Sequence, residues 1–281
     1  MRRFDFKLRD YIDLDTDAYV EAYLNTPLVE VDENRLFPSI LMCPGGGYSF
    51  TSNREAEPVA LKYLGEGYNV FVLRYSTSGT SDKHYPTQLL EVCGAMHVIR
   101  ANYLEWHTKP NALVVMGYSA GGHLASMCAT MYNEQIVLDK IGDDCRPDGA
   151  ILCYPVISSD HNIWHSGSMF YLSGYTEGDH THLSTDLRVN DDTPPCYIWH
   201  CSDDACVPVE NSLRFATQLA RHSIPFEMKI YPFGGHGGSL HNEIVVAEDN
   251  PLAIRVENQG WLNESVAFLK KIGLKITYDN K

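Results

Sequence analysis

The sequence predicts an α/β fold: a mostly parallel, doubly wound sheet with helices on both faces and a short cap-like insertion. Three observations predict it. Short apolar runs rich in Val, Ile, Leu, Met and Cys recur along the 281 residues. Segments with helical periodicity separate them, so the strands pair in parallel through crossover connections. The composition, 44% hydrophobic and 21% charged, supplies a large core and is ordinary for a globular chain.

In chain order, Tyr19–Leu24 alternates as a strand at a sheet edge would, after an acidic N-terminal stretch. Pro38–Cys43 is a buried strand that runs into Pro44-Gly45-Gly46-Gly47. A helix follows from about Glu55 to Leu64, stopped by Gly65 and Gly67, and Tyr68–Leu73 is the next strand. Pro86 opens a long helix that places Leu89, Leu90, Cys93, His97 and Val98 at helical spacing. Ala112–Met116 reads as a strand and Ala120–Met131, rich in small residues and Met, as a helix lying close against a sheet. Ala150–Tyr154, Cys196–His200 and Phe226–Tyr231 are further strands, with helices at Pro208–Arg221 and Trp261–Ile272. No repeat, low-complexity tract or linker divides the chain, which is expected to form one domain over residues 1–281. The polar stretch from about 158 to 195, carrying His161, His165, His180 and His182, is a loop-rich insertion over the site or carries short helices of its own.

The formal net charge of −14 excludes a nucleic-acid partner, which would require a basic face, and argues against anionic membranes. The expected partner is a small, neutral or weakly charged molecule; a homodimer is left open. No stretch is long enough to span a bilayer, and the charged N-terminus lacks the apolar centre of a signal peptide. The eight cysteines are scattered, with Cys43, Cys153 and Cys196 inside apolar runs, as buried reduced thiols would be. A cytoplasmic location is the expectation.

Gly117-Tyr118-Ser119-Ala120-Gly121 matches Gly-x-Ser-x-Gly. The pattern is short enough to arise by chance, and its context gives it weight. A nucleophile elbow of the α/β-hydrolase fold needs a buried strand before the serine, a helix after it and a sharp turn between. Val114–Met116 and Ala120–Ala125 supply the strand and the helix. The bland alternative is a glycine-rich turn in which Ser119 only caps the helix.

Acyl transfer also needs preset donors for an oxyanion. Gly46 and Gly47, in the glycine loop after Pro38–Cys43, and the N–H of Ala120 are the candidates. In the order Ser, acid, His, the remaining partners lie downstream of residue 119. His236, flanked by Gly234, Gly235, Gly237 and Gly238, is the candidate base, and either Asp203 or Asp204 could be the acid. His123 is expected to pack or hydrogen-bond locally, and His241 to lie on the surface. No zinc-site spacing and no phosphate or dinucleotide fingerprint is present, so no metal or cofactor is expected.

These residues make the chain resemble the small α/β-hydrolase acetyl xylan and feruloyl esterases, the xylanase-associated esterases. The resemblance rests on Pro44–Tyr48, Arg54–Ala60, Gly117–Ala125, Thr193–Pro195, Trp199-His200, Asp204–Ser212 and Gly235–Gly237, spanning roughly residues 40 to 240. It implies a metal-free serine esterase acting on short acyl groups, commonly acetyl, on sugars or small alcohols. The spacing Asp-x-x-Val-Pro in such hydrolases selects Asp204 over Asp203 as the acid. Tyr48, closing the glycine loop, is expected to contact substrate. Many related esterases carry His-Gly-Gly-Gly where this chain has Pro44, a change that should alter loop rigidity more than chemistry. Lacking a signal peptide, the chain departs from secreted members, which implies an intracellular role in carbohydrate metabolism on imported oligosaccharides or small esters. Two rivals remain, a peptidase of the prolyl-oligopeptidase superfamily and a non-catalytic ligand-binding module of the same fold.

Overall fold

The computed structural model describes residues 1–247 and 254–276. Eight strands form one sheet: β1 (Arg2–Lys7), β2 (Tyr19–Leu24), β3 (Phe37–Cys43), β4 (Asn69–Arg74), β5 (Thr108–Tyr118), β6 (Gly149–Cys153), β7 (Cys196–Cys201) and β8 (Phe226–Tyr231). Their spatial order is β1-β2-β4-β3-β5-β6-β7-β8. The strands from β3 onward pair in parallel, while β2 runs antiparallel to both β1 and β4. Parallel strands are covered on both faces, which explains why β3 and β7 are buried along their whole length.

Side chains on successive strand positions enter two different cores. Leu41 and Cys43 of β3 and Leu113 and Val115 of β5 face one core, with α2 (Thr87–Ala101), α3 (Ala120–Met131) and α6 (Glu210–Arg221). Ile40, Met42, Val114 and Met116 face the other, with α1 (Glu57–Gly65) and α7 (Trp261–Lys271). There the Trp199 and Trp261 rings stack with centroids 5.3 Å apart. The remaining helices are α4 (Gln135–Lys140) and α5 (Ser166–Ser173). Within the stretch 158–195, α5 is followed by two 3-10 turns, Thr181–Leu183 and Thr185–Leu187.

One expectation about the sheet is corrected. Tyr19–Leu24 is a strand but not the edge, because Arg2–Lys7 pairs outside it in the register Phe4 to Ala22 and Phe6 to Val20. Charged Arg3, Asp5 and Lys7 alternate with Phe4 and Phe6, whose rings pack on Trp106 at 5.6 and 4.9 Å. In so short a run the charges mask the two-residue period. β5 also starts earlier than its apolar run, across an irregularity between Phe37 and Ser39 of its neighbour β3.

The parallel strands bring their carboxyl ends to one rim, where the loops after β3, β5, β7 and β8 meet, as open α/β sheets do at their ligand sites. At Gly121 the helix after the serine comes up against the backbone at the end of β3. A Cβ on Gly121 would lie 2.1 Å from the Cys43 carbonyl oxygen and 2.4 Å from that of Pro44. Gly121→Ala should therefore cost about 3 kcal/mol of folding stability, from overpacking against backbone that cannot yield. Urea unfolding checks this, and an unchanged midpoint would contradict the packing described.

Candidate active site

Ser119 sits between β5 and α3 with φ 52° and ψ −119°. A non-glycine residue in such a region carries strain of order 1–3 kcal/mol, which persists only where its surroundings over-determine it. Three backbone hydrogen bonds do so here. Ser119 N–H donates to the Cys153 carbonyl (3.0 Å), and its own carbonyl accepts from His123 and Val156 N–H (3.0 Å each). The turn lifts Oγ to the rim, where it meets His236 Nε2 at 2.7 Å.

The loop after β8 carries His236, and its Nδ1 lies 2.6 Å from Asp204 Oδ2. An ionised carboxylate only accepts, so the proton is on Nδ1, and Nε2 is left to accept from the Ser119 hydroxyl. Asp204 follows β7, and its Oδ1 accepts from Cys206 and Val207 N–H at 2.9 Å each. His200 Nε2 reaches Oδ2 at 3.1 Å. Burial pushes the Asp204 carboxyl up, but hydrogen bonds from His200 and His236, the His236 charge and the Val207 amide outweigh it. Together they hold the group well below the usual carboxylate range. Asp203 does something else: it accepts from Gly234 and Gly235 N–H at 3.2 and 2.8 Å and so pins the loop that carries His236.

The loop after β3 brings Gly46 and Gly47 alongside. Gly46 has φ 129°, and a Cβ there would strike the Phe50 carbonyl oxygen at 2.1 Å, so only glycine fits. Among the described residues, the N–H groups of Gly46, Gly47 and Ala120 donate to no protein acceptor. An open cleft of about 320 Å³ is lined by Gly46, Gly47, Phe50, Arg54, Glu55, Ser119, His165, Tyr171, Cys206 and His236.

Tyr48 does not line that cleft, contrary to expectation. Its side chain is buried and its hydroxyl lies 2.9 Å from His123 Nδ1. His123 Nε2 is 2.7 Å from the Leu183 carbonyl, so Nε2–H donates there and Nδ1 accepts the Tyr48 proton. Tyr48 thus ties the glycine loop to α3, and its side chain is closed off from the cleft. His241 is likewise not on the surface: it is buried, with its ring 5.8 Å from Trp199. The backbone at His241 takes a positive φ of 51°, which turns the chain inward just after the glycines.

Glu55 and Tyr154 belong to none of the site motifs of the sequence, and His165 stands there only as one histidine of the polar stretch. Glu55 is buried; its Oε2 accepts from Gly45 N–H (2.8 Å) and its Oε1 from the Tyr154 hydroxyl (2.6 Å). Tyr154 in turn accepts from Ser239 N–H at 3.1 Å, and its ring lies 5.1 Å from that of His236. One carboxylate thereby couples the glycine loop to the histidine loop. The only sequence signal was an acid inside Arg54–Ala60. His165 caps α5, its Nδ1 accepting from Ser168 N–H at 3.1 Å, which leaves the proton on Nε2. Burial and the nearby His236 charge push the His165 imidazole down.

All eight cysteines are free thiols, and only Cys206 is exposed. Among the described residues no group of His, Cys, Asp and Glu could hold a metal ion, and no helix is long and apolar enough to cross a membrane.

Comparison with known proteins agrees with this fold. The BD-FAE family matches residues 27–150 and the prolyl oligopeptidase family residues 155–253. The acetyl ester-xyloside bifunctional hydrolase of Caldicellulosiruptor lactoaceticus is 31% identical with a TM-score of 0.80, covering 98% of each chain. The chain belongs to the α/β-hydrolase family of acetyl xylan and feruloyl esterase-like proteins. The chain is also similar to endo-1,4-beta-xylanase B of Butyrivibrio fibrisolvens, 36% identical over 79% of this chain and 35% of that protein. The acetylxylan esterase of Xylanibacter ruminicola is 32% identical over 73% of this chain and 42% of its own. The chain therefore spans less than half the length of these two relatives.

Buried His123 yields a pH prediction. Desolvation pushes its imidazole down to about 4, against 6.5 for an unfolded histidine. Between those values the unfolded chain binds a proton that the folded chain excludes, so this contribution is present above pH 6.5 and is lost as pH falls toward 4. From pH 7 to 5 the protein should lose about 2 kcal/mol that a His123→Gln variant does not lose. Urea titrations at both pH values measure the difference, and equal pH slopes would contradict it.

Proposed function

We propose that this chain is a serine carboxylesterase that hydrolyses short acyl esters, acetyl above all, on sugars or small alcohols through an acyl-enzyme. The observation that carries the proposal is the unbroken hydrogen-bond chain from Ser119 Oγ through His236 to Asp204, beside the N–H groups of Gly46, Gly47 and Ala120. Nε2 of His236 takes the Ser119 proton as Oγ attacks the ester carbonyl, and Asp204 keeps the proton on Nδ1 and stabilises the imidazolium. The three amides hold the oxyanion. His236 then returns its proton to the leaving alcohol, and the acyl-enzyme is released by a water that His236 deprotonates. No step calls for a metal.

The acetyl preference and the sugar alcohol are supported by the names of the relatives, an acetylxylan esterase and an acetyl ester-xyloside hydrolase. Phe50 and Tyr171, both exposed at the cleft, offer flat faces to a sugar ring. The short stretch from 158 to 195 acts as a partial cap, since His165 and Tyr171 from it wall the cleft. Eight free thiols suit a reducing, cytoplasmic location. A peptidase reading draws on the prolyl oligopeptidase match, which covers the part bearing Asp204 and His236.

Ser119→Ala should abolish p-nitrophenyl acetate hydrolysis with the fold intact, and Asp204→Asn should lower kcat by about 10³–10⁴-fold. Initial rates and circular dichroism check both. Full activity in Ser119→Ala would overturn the assignment, and cleavage of a prolyl peptide in preference to the acetate would favour the peptidase.

A further inference from the structure

A second cavity, of about 440 Å³, opens between the segment after β6 and α6 and shares no lining residue with the cleft at Ser119. That volume lies within the roughly 300–1,000 Å³ of small-molecule sites. α5 links the two: Tyr171 lines the Ser119 cleft, and Ser173, two residues on, is hydrogen-bonded by His180, which lines the second cavity.

Two buried side chains of this cavity hold acceptors with no hydrogen-bond partner among the described residues, Asp186 Oδ1 and His180 Nδ1. For His180 the tautomer follows from its surroundings. Nε2 is 3.3 Å from the Tyr175 carbonyl, which can only accept, so Nε2 carries the proton and Nδ1 is a bare acceptor. Buried acceptors call for donors. Beside them stands Arg214, whose Nη2 meets Asp160 Oδ2 at 2.6 Å and whose Nη1 reaches Ser158 Oγ at 3.4 Å. One wall is flat: the exposed His161 ring stacks on Trp164 with centroids 4.1 Å apart.

This donor and acceptor set selects among ligand classes. An anion would face Asp160, Asp179 and Asp186 against a single guanidinium. A metal ion lacks its ligands, because no suitable group of three His, Cys, Asp or Glu exists among the described residues. A neutral molecule carrying several hydroxyls has donors for Asp186 and His180, acceptors for Arg214 and a ring face for His161. We propose that this cavity is a second, non-catalytic site for a neutral sugar or similar polyol. It stands apart from the ester chemistry at Ser119 and does not depend on it.

The test is calorimetric titration of the intact chain with xylose and xylobiose, alongside calcium chloride and inorganic phosphate. Saturable sugar binding is expected, weakened up to roughly tenfold by Asp186→Asn, because a neutral amide oxygen replaces the charged acceptor. Arg214→Gln, on the exposed face, should weaken it too and serves if Asp186→Asn does not fold. Phe50→Ala removes a sugar-facing ring from the Ser119 cleft and affects binding only there, so the binding that Asp186→Asn weakens should persist in it. No sugar binding, binding of calcium or phosphate in its place, or binding lost only in Phe50→Ala overturns the proposal. So does sugar binding that survives both cavity variants. Should the chain fail to hydrolyse p-nitrophenyl acetate, the esterase reading falls while this titration still decides the cavity.

Discussion

The backbone turn at Ser119 constrains the rest of the molecule. A residue held at φ 52° needs its neighbours to hold it, and the hydrogen bonds to Cys153, His123 and Val156 come from β6, α3 and the loop after β6. The same turn lets α3 approach the end of β3 so closely that position 121 admits only glycine. That approach sets the glycine loop beside Oγ. Strain at one residue and crowding at another are thus two consequences of a single geometric demand, the exposure of a hydroxyl at the rim of a buried sheet.

Electrostatics at the rim follow from burial. Asp204 is almost wholly removed from water, yet remains ionised because two imidazoles and two backbone amides face it. Asp203, one residue earlier, spends its charge on the amides of Gly234 and Gly235. Glu55 and Tyr154 join the glycine and histidine loops from below. Donors and base in the proposed mechanism are therefore positioned by carboxylates that never meet the ester. His123, buried and kept neutral, braces the glycine loop from the opposite side through Tyr48.

The parallel core was legible in the sequence because strands buried on both faces become uninterrupted apolar runs, as in Ala112–Met116 and Cys196–His200. Glycine flanks made the neighbourhoods of Ser119, Gly46 and His236 legible for the same kind of reason, since close approach removes side chains. What escaped had no such signature. The edge strand Arg2–Lys7 hides its period behind charge, and Glu55 looks like any acid near a helix start. The contacts of Tyr48 and His241 depend on the direction of one backbone turn, which a local pattern does not encode. That His180 and Asp186 line one cavity follows from tertiary placement alone.

The central claim, that Ser119 is the nucleophile activated by His236, meets its most direct test in covalent labelling. Intact-mass and peptide-mapping spectrometry after treatment with a fluorophosphonate should find one adduct, on Ser119. His236→Gln should suppress that adduct while the fold is retained. An adduct elsewhere, or no adduct on a folded protein, would contradict the account.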